Sequence, residues 1–123
     1  MNNGLMLIGR LVEDPVIRET ESGKKVSSIK VAVPRNYKNK DGIYETDFFD
    51  CNVWGMLADS TREYCKKGDM VGIKGRLENN NYEKDGVKHY TNEINVEKIT
   101  FLASSIKKTE ENKSKDEEIE KNI

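Results

Sequence analysis

The chain is short of the residues from which most catalytic and metal centres are built. One histidine, one tryptophan, two cysteines and two prolines stand among 123 residues. Cys51 and Cys65 have neither a CxxC pair nor a histidine nearby, which fits no zinc site and no disulfide framework. They are read as buried free thiols, and neither a metal nor a cofactor is expected. No apolar run approaches the roughly 20 residues that cross a bilayer. The start, Met1-Asn2-Asn3-Gly4, lacks the basic region of a secretion signal, so the chain is expected to stay in the cytosol with no membrane partner. An excess of one charge sign is missing too, since 21 Lys and Arg stand against 22 Asp and Glu for a net charge of −1. Composition therefore does not announce a nucleic-acid binder, and any basic surface has to come from sorting charges by face.

What is present suits one small domain, because two cores in a chain this short would each bury too little. The last twenty residues, Ser104 to Ile123, carry five lysines and six acids with no aromatic and no glycine. They are read as a charged, disordered tail. Removing them from the totals of 21 and 22 leaves 16 basic and 16 acidic residues over 1–103, a neutral body. Within it, Ser22-Gly23, Lys40-Asp41-Gly42 and Lys84-Asp85-Gly86 supply turn chemistry between β-rich segments. Five strands are predicted: Leu5 to Val12 continuing past Pro15 to Glu19, Val26 to Arg35, Glu45 to Trp54, Met70 to Tyr82, and His89 to Phe101. Between Gly55 and Gly68, Leu57, Ala58, Thr61, Tyr64 and Cys65 recur at helical spacing, and Lys66-Lys67-Gly68 resembles a helix end. An all-β domain with five strands and one short helix between the third and fourth is the order of an OB-fold barrel, an architecture that holds oligonucleotides and oligosaccharides. Fold alone does not choose the ligand.

Side chains alternate faces along a strand. In the third strand Phe49, Cys51 and Val53 form an apolar face, while Phe48, Asp50, Asn52 and Trp54 mix large aromatics with polar groups on the other. That second face is either a ligand surface or a second core against the helix or a partner chain. In the fourth strand Val71, Ile73 and Leu77 take the core parity, with Gly75 between them, and Lys74, Arg76 and Tyr82 the outward one. In the second, Ile29, Val31 and Val33 point in and Lys30 out, before Pro34 leads to Arg35 and Tyr37 in a loop. Binders of single strands need this mixture. A flat ring stacks on any base for about 1 to 3 kcal/mol, and Lys and Arg neutralise phosphates without reading sequence. The first strand is apolar on both faces, so Met6 and Ile8 are expected to pair subunits, with cover from the helix as the alternative.

The segments GRLVEDP at 9–15, VAVPRNY at 31–37, ETDFFDCNVWGMLAD at 45–59, KKGDMVGIKGRL at 66–77, TNEI at 91–94 and ITFL at 99–102 together resemble the bacterial and phage single-stranded DNA-binding proteins (SSB). The resemblance implies an OB fold, assembly into a homotetramer, and single-stranded DNA wrapped by stacking and phosphate contacts in replication, recombination and repair. It carries the stacking role to Tyr37, Phe48, Trp54 and Tyr82, and the basic role to Arg10, Lys30, Arg35, Lys74 and Arg76. In that family an acidic tail with a Pro-Phe tip docks replication and repair enzymes. Here the end reads Asp116-Glu117-Glu118-Ile119-Glu120-Lys121-Asn122-Ile123, acidic but interrupted by Lys121 and without proline or phenylalanine, so it reads either as a docking tail or as a merely solvated one, and its shortness suits a phage, mobile-element or accessory member.

Two other classes compete. An enzyme needs a nucleophile, a base or a metal cluster. His89, the single histidine, has no acid or cysteine placed against it and reads as a surface residue. Asp47 and Asp50 have opposite parity, and Asp59 belongs to the helix, so they do not converge on Mg²⁺; no enzymatic activity is expected. The other alternative is an OB module that binds protein through its groove. The neutral body favours that module, and the four aromatics interleaved with cations oppose it.

Overall fold

Among the residues described by the computed structural model, 2–104, six strands and one helix follow one another: β1 (Leu5–Leu11), β2 (Ile17–Glu19), β3 (Lys25–Lys38), β4 (Tyr44–Trp54), α1 (Met56–Tyr64), β5 (Met70–Lys84) and β6 (Val87–Ala103). The first predicted strand is two strands. Pro15 has no N–H to give a ladder, and the pieces on either side of it serve different neighbours. β1 pairs with β5 along its length and with β3 at Arg10 and Leu11, whereas β2 pairs with β3.

The double pairing of β1 closes the sheet into a barrel ordered β1-β5-β6-β4-β3, with β2 as an extension of β3. All neighbours are antiparallel except β4 and β6, which run parallel where Cys51 faces Ile94 and Asn52 faces Asn95. A closed five-stranded barrel with a helix between its third and fourth strands is the OB arrangement. Closure needs close backbone approach, and two glycines allow it. A Cβ on Gly9 would collide with the Ala32 carbonyl, and one on Gly75 would lie 2.7 Å from the Asn95 carbonyl oxygen.

The core takes one parity of each barrel strand. Leu11, Ile29, Val31, Cys51, Val53, Val71 and Ile73 are almost fully buried, each aliphatic among them stabilising the fold by about 1.5–3 kcal/mol. Cys51 and Cys65 are free and buried, and burial pushes the Cys51 thiol up to about 11. The helix is shorter than the interval between its flanking glycines. It stops at Tyr64, and Cys65 is already extended. The turn that follows is held by side chains, with Lys66 N–H donating to Asp69 Oδ2 at 2.7 Å and Lys67 N–H to Asp14 Oδ1 at 2.8 Å. Ala58 and Thr61 form the buried face, while Tyr64 is exposed and lies off it.

Two hairpins run beyond the barrel. The β5–β6 pair turns on Asp85 and Gly86, both at positive φ (53° and 77°), a two-residue turn whose twist matches that of the strands it joins. The β5–β6 register shifts between Lys74 and Gly75 and leaves Glu97 without a cross-strand partner. Leu77 is 47% exposed although its parity assigns it to the core, and its partner Ile94 across the ladder is buried. No helix among the described residues is long and apolar enough to cross a membrane. The charged tail read from Ser104 onward lies, beyond that residue, outside the described residues.

Gly9→Ala is expected to lower stability by roughly 1–3 kcal/mol, read as a shift of the urea midpoint. Gly4→Ala is the control, because its Cβ would meet nothing closer than 3.9 Å. Equal midpoints for the two variants would contradict the closure argument.

Candidate nucleic-acid interface

Alternation along β4 places Phe48, Asp50, Asn52 and Trp54 on the outside of the barrel, opposite Ala32, Lys30, Ser28 and Val26 of β3. Phe48 is 60% and Trp54 41% exposed, so neither completes a second core against the helix. The two rings are six residues apart, about 20 Å along an extended strand. Between and beside them runs a polar strip created by the parallel pairing of β4 with β6. The Trp54 indole N–H donates to Asn95 Oδ1 at 3.1 Å, and the Asn95 amide donates to Glu78 Oε2 at 2.8 Å. Asn52 donates to Glu93 Oε2 at 3.1 Å and accepts from Ser28 Oγ. Tying the indole edge to Asn95 limits the ring's rotamers while leaving much of its surface to solvent, which lowers the ordering cost when a flat ligand stacks on it.

The other two aromatics ride on the hairpins. No register shift falls between Gly75 and Tyr82, so Tyr82 keeps the outward parity. It stacks on His89, its cross-strand partner, with ring centroids 4.8 Å apart and 14° between planes. His89 is thus half of an aromatic pair rather than an isolated surface residue. Tyr37 lies within β3, not in a loop, because the ladder resumes at Lys38 and Tyr44 and the turn is confined to residues 39–43. It is 60% exposed, with the Arg35 guanidinium over its ring at 5.9 Å.

The cations divide into groups. Lys30 meets Asp50 at 3.8 Å, and Arg76 lies 4.0 Å from Glu78 and 3.9 Å from Glu97. Such exposed, long pairs are worth about 0–1 kcal/mol and exchange readily for a phosphate. Arg35 is held more firmly, by Asp47 and Glu45. Arg10 donates to the Gly68 carbonyl at 3.0 Å. Lys74 stands apart from the aromatics, facing Lys98 and lining an apolar groove with Met6, Ile8 and Leu102. Met6 is 71% and Ile8 54% exposed, so the helix does not cover them.

Residues 2–102 match the model of a family described as single-strand binding protein. The chain belongs to this family. Among its relatives, single-stranded DNA-binding protein B of Bacillus subtilis is 39% identical over 103 residues, 83% of this chain and 91% of that protein. Single-stranded DNA-binding protein 3 of Listeria innocua is 41% identical over 105 residues, covering 85% of this chain and 66% of the relative. A single-stranded DNA-binding protein of Bacillus cereus is 40% identical over 103 residues, covering 83% and 61%. The match thus spans less than two thirds of the latter two relatives' length.

The three aspartates weighed as Mg²⁺ ligands are each paired with a different cation, Asp47 with Arg35, Asp50 with Lys30 and Asp59 with Lys25. Asn95 and the stacking of His89 on Tyr82 are additions that the structure makes to the site. His89 was within reach, since a two-residue turn at Asp85-Gly86 makes positions 82 and 89 cross-strand partners. Asn95 was not, because its contact with Trp54 follows from a parallel pairing between strands distant in sequence.

Proposed function

We propose that the chain binds and protects single-stranded DNA without sequence preference, in replication, recombination and repair in the bacterial cytoplasm. The observation that carries this reading is the exposed pair Phe48 and Trp54 on the outer face of β4, flanked by Tyr37 and Tyr82 on the two hairpins. Four rings stacking at about 1–3 kcal/mol each outweigh the exchange of weak ion pairs at about 0–1 kcal/mol. Stacking therefore dominates the affinity of a body without basic excess, and Arg10, Lys30 and Arg76 add phosphate contacts, while Lys74 lies in the groove assigned below to the subunit contact. Residues 1–103 form the binding domain, and 104–123 are a charged tail without the Pro-Phe tip that docks partner proteins elsewhere in the family.

The outer face of β1 is the subunit contact. Met6, Ile8, Gly72, Thr100 and Leu102 line one apolar groove, and a second copy of this chain supplies a matching surface without a new sequence. A homotetramer uses this contact together with a second one.

Anisotropy of labelled oligo(dT) is the direct test. Trp54→Ala is expected to weaken binding by roughly five- to a hundredfold, with Tyr64→Ala, exposed on the helix, as the unaffected control. Affinity should fall with salt at a log-log slope of about −0.7 per phosphate contacted. No binding, or equal losses in both variants, would favour a protein-binding OB module instead. Sedimentation at micromolar concentration should show an oligomer that Met6→Glu with Ile8→Glu takes apart. A wild-type monomer would overturn the subunit contact.

A further inference from the structure

Arg35 sits where the β3–β4 ladder loses its register. Pro34 pairs with Thr46 and Lys38 with Tyr44, so residues 35–37 of β3 face the single residue Glu45 of β4. A strand with two extra residues bends and loses ladder bonds, and the arm beyond needs another restraint to keep a fixed direction. Side chains supply it. Arg35 donates from Nε and Nη2 to the Asp47 carboxylate at 3.0 and 2.9 Å, and from Nη1 to Glu45 Oε2 at 2.8 Å. Glu45 also accepts from Asn39 Nδ2 at 3.2 Å, and Asn39 Oδ1 accepts the backbone N–H groups of Asp41 and Ile43 at 2.9 and 3.0 Å. One continuous set of bonds runs from the barrel wall to the hairpin tip, and Tyr37 rides on the arm between them.

We propose that Arg35, clamped by Asp47 and Glu45, is a positioning residue that holds Tyr37 for base stacking and is not a phosphate ligand. The proposal rests on the DNA-binding reading and revises the role expected for Arg35 within it. Two carboxylates around one guanidinium leave the cluster with a net charge of −1, so it offers phosphate no attraction. The fork geometry on Asp47 is the strong form of a charge-assisted bond, unlike the Lys30–Asp50 contact at 3.8 Å, which gives way easily. The guanidinium covers one side of the Tyr37 ring at 5.9 Å and leaves the other for a base. Hydrogen bonds from Arg35 also hold the Asp47 carboxyl below the ordinary carboxylate range.

The test exploits a difference in sign. Asp47→Asn removes a negative charge, so if Arg35 were a phosphate ligand the variant would bind oligo(dT) more tightly and with a steeper salt dependence. The clamp predicts the reverse, a loss of roughly fivefold or more with the salt slope unchanged. Arg35→Lys keeps the charge but not the fork, and the clamp predicts a loss there too. Arg35→Ala should match Tyr37→Ala, with no further loss in the double variant. Amide exchange without DNA should be faster over residues 36–44 in Asp47→Asn. Tighter binding by Asp47→Asn, or full affinity in Arg35→Lys, would overturn the clamp while wild-type binding leaves the DNA-binding reading intact. A wild-type protein that ignores oligo(dT) would overturn both, whatever exchange shows of the arm.

Discussion

Strand β1 belongs to two neighbours at once, and the remaining geometry depends on that sharing. Its pairing with β5 from Leu5 to Arg10 and with β3 at Arg10 and Leu11 turns a sheet with two edges into a ring. The ring in turn requires the β1 backbone to press against β3 at Gly9, where no side chain fits. Once closed, the barrel consumes one parity of every wall strand as core. Among the described residues the other parity is covered only in part: Val26 beside Trp54 is buried, whereas Phe48 and Trp54 themselves stay exposed.

Closure also brings β4 and β6 together in parallel, the only such pairing among the described strands. That contact supplies Asn95 to Trp54 and Glu93 to Asn52, so the face that presents the rings is lined by carboxylates and amides rather than by free cations. Repulsion of phosphate by Glu78, Glu93 and Glu97 is offset locally by Arg76. On the stacking mode proposed above, a strand of DNA would gain most on this surface where its bases meet rings. The charges tune the path of its backbone, in keeping with a chain whose net charge is only −1.

Parity made much of the barrel legible from sequence. Phe49, Cys51 and Val53 alternate with Phe48, Asp50 and Trp54 without interruption, and an unbroken ladder preserves that alternation in space. The same reasoning failed at Leu77, because parity reports which face a residue takes and not whether anything lies over that face. Nor does alternation divide the run from Leu5 to Glu19, predicted as one strand, which breaks at Pro15 into two strands with different partners. Pairings between distant segments, such as Trp54 with Asn95 or Arg35 with Asp47 across a bulge, depend on register and strand order, which no local pattern encodes. His89 lies between these cases, since the Asp85-Gly86 turn is legible in the sequence and fixes its pairing with Tyr82, whereas the ring stacking depends on side-chain rotamers.

The most direct measurement follows the fluorescence of Trp54, the single tryptophan of the chain, during titration with oligo(dT). Stacking of a base on the indole predicts strong, saturable quenching that survives moderate salt better than a purely ionic complex would. Saturable binding seen by another method with no change in Trp54 emission would contradict the account, because it would place the DNA on a different face of the barrel.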